Sequence, residues 1–276
     1  MLSGGTQSRV RRVVCERFPI SGIETIPSLQ TEMRFIVESL YGPPVRRLAG
    51  LDIGRAYWGA TKEFHYGGDV IDVFACVTGR TSLAVVDISG HGIRAAQYAG
   101  LAKYALRAYM SQGLSALDSV RALNRLYIEN GEFEHDDEFF ATVFYAIVDT
   151  DALTMQYVSA GHEAAYIVTP NGSRPLRTTG PIVGLMDDDN SFDQETVRLD
   201  HGDIFAAATD GFTEARDASL AFLGADAIVD VIERNRARRA EQQAEAVTRC
   251  AYEYAGARLE DDIAALVVKV DERGAD

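Results

Sequence analysis

The chain has 276 residues, 47% of them hydrophobic, which suits one large domain or one domain with a short extension. A formal net charge of −14 and a pI near 4.8 argue against nucleic acid or an anionic membrane as partner, because both reward clustered Lys and Arg. Cys15, Cys76 and Cys250 lie too far apart for a disulfide framework or a thiolate zinc motif, no apolar run suits a membrane span, and no secretion signal opens the chain, so a cytoplasmic location is expected.

Residues 1–46 are expected to form an N-terminal extension. Its first part mixes Gly and Ser with Arg9, Arg11 and Arg12 as a loosely ordered lead-in. Leu29, Met33, Ile36, Val37 and Leu40 then recur at helical spacing until Pro43-Pro44 ends the run. Such a stripe must pack on the main domain, a regulatory partner or a second copy of the chain. The main domain is expected over residues 47–271, followed by a short tail over 272–276.

Residues 50–58 alternate as a strand and lead into GGDVIDVFACVTGRTSLAVVDISGHG at 67–92. Val70–Val77 and Leu83–Ile88 are rich in β-branched and aromatic residues and are separated by Thr78, Gly79 and Arg80, the chemistry of a turn. Paired as an antiparallel hairpin, they bring Asp69 and Asp87 to the same end. Two adjacent carboxylates raise each other's pKa or recruit a cation, and hard divalent ions prefer oxygen ligands. A lone Asp beside glycines is more often a turn cap.

Beyond Gly92, Ile93–Met110 reads as a buried helix and Ala116–Asn130 as a second one. Strands are expected at Phe139–Val148, Thr154–Val158 and Ala164–Val168, arranged as a meander. Residues 176–193, with Asp187, Asp188 and Asp189, read as an exposed loop without the spaced ligands of a calcium site. A strand over Asp203–Ala208 ends at Thr209-Asp210-Gly211. Helices are expected within 226–255, with Arg234, Arg236, Arg238 and Arg239 on a wet face, and Asp261-Asp262 precede a final strand over Ile263–Val270.

Four acids, Asp69, Asp87, Asp210 and one of Asp261 or Asp262, thus stand at the edges of apolar strands. With GGDVIDVF (67–74), VVDISGHG (85–92), FFATVFYAIVD (139–149), SAGHEAAYIV (159–168), GDIFAAATDGFTEA (202–215) and DDIAALVV (261–268), the chain resembles the protein phosphatase 2C (PPM) family. The resemblance is to its bacterial branch similar to stage II sporulation protein E, and it covers roughly residues 50–270.

The resemblance implies an α+β fold, a four-layer α-β-β-α sandwich with two central antiparallel sheets. It implies a metal-dependent phosphatase acting on phosphoserine or phosphothreonine in proteins, with two divalent ions, Mn²⁺ or Mg²⁺, activating the attacking water. Asp87 would bridge both ions and the Ile88 carbonyl would complete one shell. Asp69, Asp210 and Asp261 match the remaining acidic positions, with Asp262 the second choice to Asp261. His91 is the nearest candidate acid for the leaving group, although it follows Asp87 by four residues rather than the family's two, and a structural role in the glycine turn suits it equally. His162 stands where the wider family has the acid of a third metal site. Ala264 replaces a frequent Thr, and the segment holding His65 departs from the branch. A phosphorylated anti-anti-sigma factor is the substrate that analogy suggests. A non-catalytic binding module on this fold and a small-molecule phosphoester hydrolase are the competing readings.

Overall fold

The computed structural model describes residues 47–48, 50–59, 68–76, 79–90, 92–134, 139–162 and 164–271. The expected N-terminal helix, His65, His91 and the tail lie outside these residues. The strands are β1 (Arg47–Leu48), β2 (Leu51–Trp58), β3 (Val70–Ala75), β4 (Arg80–Ile88), β5 (Ala141–Asp149), β6 (Thr154–Ala160), β7 (Ala165–Thr169), β8 (Gly172–Pro175), β9 (Glu195–Arg198), β10 (Ile204–Ala208) and β11 (Ile263–Val270). The helices are α1 (Ile93–Ser111), α2 (Ala116–Glu134), α3 (Asp210–Thr213), α4 (Ala227–Arg234) and α5 (Ala240–Tyr254). Among the described residues, no helix is long and apolar enough to cross a membrane.

Two antiparallel sheets form. The first runs β1-β2-β11-β10-β7-β8 and the second β3-β4-β5-β6-β9. The period of two along each strand sorts side chains between layers. Leu83, Val85, Phe144 and Ala146 of the second sheet face Leu51, Ile53, Phe205 and Leu266 of the first, making the central core. The alternate residues Ala84, Val86, Val143 and Tyr145 pack under α1 and α2, against Tyr98, Leu106, Val120 and Leu123. On the other side, Ala206, Ala265 and Val267 meet Ile228 and Ile232 of α4 and Ala244 and Val247 of α5. β4 and β5 are therefore buried on both faces, which explains their near-continuous apolar runs. The expected four layers are present.

Three expectations change. The meander is not continuous, because β6 stays beside β5 while β7 crosses to the first sheet and pairs with β10 and β8. The short turn around Gly161 carries this crossing, and alternation alone cannot say which sheet a strand joins. Residues 176–193 are not a free loop either. Leu176, Val183 and Phe192 are buried, and bridges join Ala141 to Val183 and Ala160 to Gly180. Their apolar anchors, not their acids, decide the path. Arg236 leaves the wet face to donate to the Gly202 carbonyl at 2.9 Å.

An ion cluster holds β3 on α1. Asp72, buried on the outer face of β3, accepts two hydrogen bonds of 2.6 Å from Arg107, and Lys103 stands 3.7 Å away. Bidentate pairing of this kind fixes orientation as well as distance. It pins the strand that begins next to Asp69.

Candidate metal centre

The hairpin builds one half of the site. Its outermost paired residues at this end are Val70 and Val86, so Asp69 and Asp87 stand opposite one another one step further out. Ile71, Val73, Leu83 and Val85 face the central core, and the same period carries both acids toward the gap between the sheets. Gly68 lets the strands close up here. A Cβ on it would lie 2.4 Å from the Ile88 carbonyl oxygen, too near for any other residue.

The first sheet supplies the other half. β10 ends at Ala208, opposite Ala265 of β11. The Thr209 N–H donates to the Ala264 carbonyl at 3.0 Å, and the Ala264 N–H donates to Thr209 Oγ1 at 2.9 Å. The same hydroxyl donates to Asp69 Oδ2 at 2.6 Å, tying the two sheets together at the acids. Asp210 opens α3, and the backbone of Gly211 presses on the following strand entry, where an added Cβ would lie 2.0 Å from the Asp262 carbonyl oxygen. Asp210 and Asp261 are exposed and interact electrostatically, whereas Asp87 is half-buried and Asp69 buried.

The acids oppose one another's ionisation. Burial pushes the Asp87 carboxyl up to about 7, and the charges of Asp210 and Asp261 act in the same direction. Burial likewise holds Asp69 well above the ordinary range, reinforced by Asp87 and opposed by the Thr209 hydroxyl. Asp210 is raised by burial, then by Asp261 and Glu214. Asp87 is the hub, in hydrogen-bond reach of both Asp69 and Asp210. Among the described residues no three His, Cys, Asp or Glu side chains converge on one point, so the acids meet in pairs rather than as a closed cage. An all-oxygen donor set under mutual repulsion fits hard divalent cations, which favour the ionised forms and relieve that repulsion.

The two candidates at the β11 entry are not equivalent. Asp262 Oδ2 accepts from the Tyr57 hydroxyl at 2.7 Å, and its N–H donates to Asp261 Oδ1 at 2.7 Å. The charge of Asp261 is among the leading causes that raise Asp69, Asp87 and Asp210, and that of Asp262 among those that raise Asp69. His162 is buried, and desolvation lowers its pKa to about 4, so it is neutral at physiological pH. Its Nε2 has no hydrogen-bond partner, and its ring is 6.1 Å from that of Phe144. Thr209 is the functional residue that sequence reasoning missed. Its position in Thr-Asp-Gly marked only a turn, and nothing local showed that its hydroxyl would cross between sheets.

The family model for stage II sporulation protein E (SpoIIE) matches residues 78–271. The chain belongs to the SpoIIE family. It is 27% identical over 198 residues to protein IcfG of Synechocystis sp., covering 63% of this chain and 31% of that protein. To the phosphoserine phosphatase RsbU of Bacillus subtilis it is 26% identical over 259 residues, covering 89% and 73%. The SpoIIE-family chain thus spans about a third of IcfG and nearly three quarters of RsbU. Among solved structures it is similar to the PP2C phosphatase domain of SpoIIE from Bacillus subtilis, with a TM-score of 0.68 at 15% identity, over 80% of this chain and 63% of that one. It is also similar to the catalytic domain of the serine threonine protein phosphatase PstP, solved with 2 manganese ions, with a TM-score of 0.59 at 15% identity, over 80% and 100%. Both likenesses agree with the two-sheet α+β architecture. The family match begins after Asp69, whose place is defined by the hairpin and by Thr209.

Proposed function

We propose that this SpoIIE-family chain is a Mn²⁺- or Mg²⁺-dependent protein phosphatase that hydrolyses phosphoserine or phosphothreonine. The observation that carries this reading is the meeting of Asp69, Asp87, Asp210 and Asp261 at one end of the sandwich, two from each sheet. Similarity to RsbU, itself named a phosphoserine phosphatase, supports the reaction class. Asp87 is proposed as the shared ligand of two ions, with Asp69, the Ile88 carbonyl, Asp210 and Asp261 completing the set. Bound there, divalent ions supply charge neutralisation for a phosphate ester and acidify water.

The chain's own residues do the positioning. Thr209 donates to Asp69 and so fixes the orientation of the deepest carboxylate. The missing side chains of Gly68 and Gly211 let backbone come close to the Ile88 and Asp262 carbonyls, next to the proposed ligands. The substrate class we assign, by analogy at the level of the fold family, is a phosphorylated anti-anti-sigma factor. Residues 1–46 are proposed as a regulatory or dimerising extension; deleting residues 1–44 should change activity or oligomeric state, and unchanged values for both would remove that role.

The deciding experiment measures phosphate release from a phosphoserine peptide while Mn²⁺ or Mg²⁺ is titrated from zero, alongside Asp87→Asn. Metal-dependent release that the variant lacks is the expected result. Metal binding without release from the peptide or from nucleotides would replace this reading with a binding module.

A further inference from the structure

Asp262 stands beside the proposed ligand Asp261, and its side chain is held from another strand. β2 and β11 pair Tyr57 with Ala264 and Trp58 with Ile263. Tyr57 and Ala264 pack against the central core between the sheets, whereas Ile263 belongs to the outer layer with α4 and α5. Continued one residue beyond the strand, the period of two puts Asp262 on the inner face with Tyr57. There the Tyr57 hydroxyl donates to Asp262 Oδ2 at 2.7 Å.

The donor is itself fixed from behind. Trp58, the next residue of β2, turns outward and stacks on Tyr252 of α5, with ring centres 4.2 Å apart and planes 25° from parallel. The backbone of Asp262 is confined as well, since a Cβ on Gly211 would lie 2.0 Å from its carbonyl oxygen. Asp262 is thus held by side chain and backbone together. Its N–H donates to Asp261 Oδ1 at 2.7 Å. A continuous set of contacts therefore runs from a phenol on β2, through Asp262, to one oxygen of Asp261.

An aspartate ligand turns about two side-chain bonds, and orientations that miss the ion are given up when the ion binds. A hydrogen bond to one carboxylate oxygen removes part of that freedom beforehand. Groups that orient ligands in this way change metal affinity by about ten- to a hundred-fold when lost. Asp261 is exposed, so close packing does not supply the restraint. We propose that Tyr57 and Asp262 are a positioning pair that presets the Asp261 carboxylate for a divalent cation, Tyr57 fixing Asp262 and the Asp262 N–H fixing Asp261. The proposal rests on the metal-dependent reading of the four acids and gives Asp262 a part in it other than ligation.

The test uses the full chain with three separate readouts: Mn²⁺ affinity by calorimetric titration, unfolding in chelator, and phosphate release from a phosphoserine peptide. Tyr57→Phe removes only the phenol oxygen. Asp262→Asn keeps an oxygen that accepts from Tyr57 and keeps the backbone N–H, while removing the charge. Asp261→Asn removes the charge of the proposed ligand, and Tyr157→Phe breaks a bond of the same 2.7 Å length to Glu195, away from the four acids. Tyr57→Phe should weaken Mn²⁺ binding about ten-fold. Asp262→Ala should weaken it too, and adding Tyr57→Phe to that variant should cost nothing further, because the two residues act in series. Asp262→Asn should bind far more tightly than Asp261→Asn, and Tyr157→Phe should bind as the unaltered chain does. Unchanged Mn²⁺ affinity in folded Tyr57→Phe would overturn the pair, as would an equal loss in Tyr157→Phe, which would trace the effect to stability. Equal losses in Asp262→Asn and Asp261→Asn would make Asp262 a ligand and overturn it also. Affinities in the expected order without phosphate release from the unaltered chain would uphold the pair and remove the phosphatase reading. No Mn²⁺ binding by the unaltered chain would remove both.

Discussion

The hydroxyl of Thr209 donates to Asp69 Oδ2 at 2.6 Å across 140 positions of sequence, while accepting the N–H of Ala264. One oxygen thus holds the deepest acid and satisfies a buried backbone donor. Thr209→Val keeps the shape but leaves the Ala264 N–H and Asp69 without it, which should cost about 1–3 kcal/mol of stability. Asp69 should also rise further in pKa, weakening Mn²⁺ binding at neutral pH. Denaturant unfolding and metal titration check both effects, and Thr209→Ser should retain most of the wild-type behaviour.

Asp69, Asp87 and Asp210 all titrate above the ordinary 3.8 because burial and neighbouring acids disfavour their charged forms. Between that value and the Asp87 value of about 7, the folded protein binds more protons than the unfolded chain. Stability of the metal-free protein should therefore fall as pH rises through this window. Mn²⁺ favours the ionised acids and should flatten or invert the slope. Unfolding midpoints measured from acid to neutral pH, with chelator and with Mn²⁺, would contradict this if the two curves ran parallel.

Gly68 should be the least replaceable residue of the hairpin entry. In Gly68→Ala the new methyl would start 2.4 Å from the Ile88 carbonyl oxygen, with the Ile88 Cβ at 2.9 Å. Backbone must move, at about 1–3 kcal/mol by the usual scale of overpacking. Because the displaced carbonyl is a proposed ligand, Mn²⁺ affinity should fall by more than stability alone accounts for. Calorimetric titration of a variant still folded at the assay temperature separates the two effects.

His162 should give the opposite pH signature to the acids. Burial lowers it from 6.5 to about 4, so the unfolded chain takes up a proton in that interval that the folded protein does not. Its contribution is complete above the unfolded value and is lost as pH falls toward the folded one, amounting to about 3 kcal/mol. His162→Phe should remove this acid-side loss, with thermal unfolding across the interval as the readout. An unchanged acid limb would mean that His162 is protonated in the folded protein.

Alternation, turn residues and helical spacing carried much of the architecture. The hairpin from Val70 to Ile88, both helices after Gly92 and the last strand were legible because each depends on near neighbours in sequence. The pairing of Asp69 with Asp87 followed from one hairpin, strand ends marked Asp210 and Asp261-Asp262, and the resemblance preferred Asp261 of that pair. The crossing of β7 into the other sheet and the anchoring of residues 176–193 by Val183 and Phe192 were not legible. Several partners satisfy the same apolar pattern.

The sequence by itself determined which residues alternate toward a core and which acids end apolar strands, since these follow from backbone period and local turn chemistry. Only the tertiary structure decided that two strand ends from each sheet meet. It also decided that the Thr209 hydroxyl reaches Asp69, and that the charge of Asp261 bears on Asp87 and Asp210. Those relationships depend on how two sheets stack and how closely Gly68 and Gly211 let backbones approach. Packing between distant segments sets them, and no local pattern encodes it.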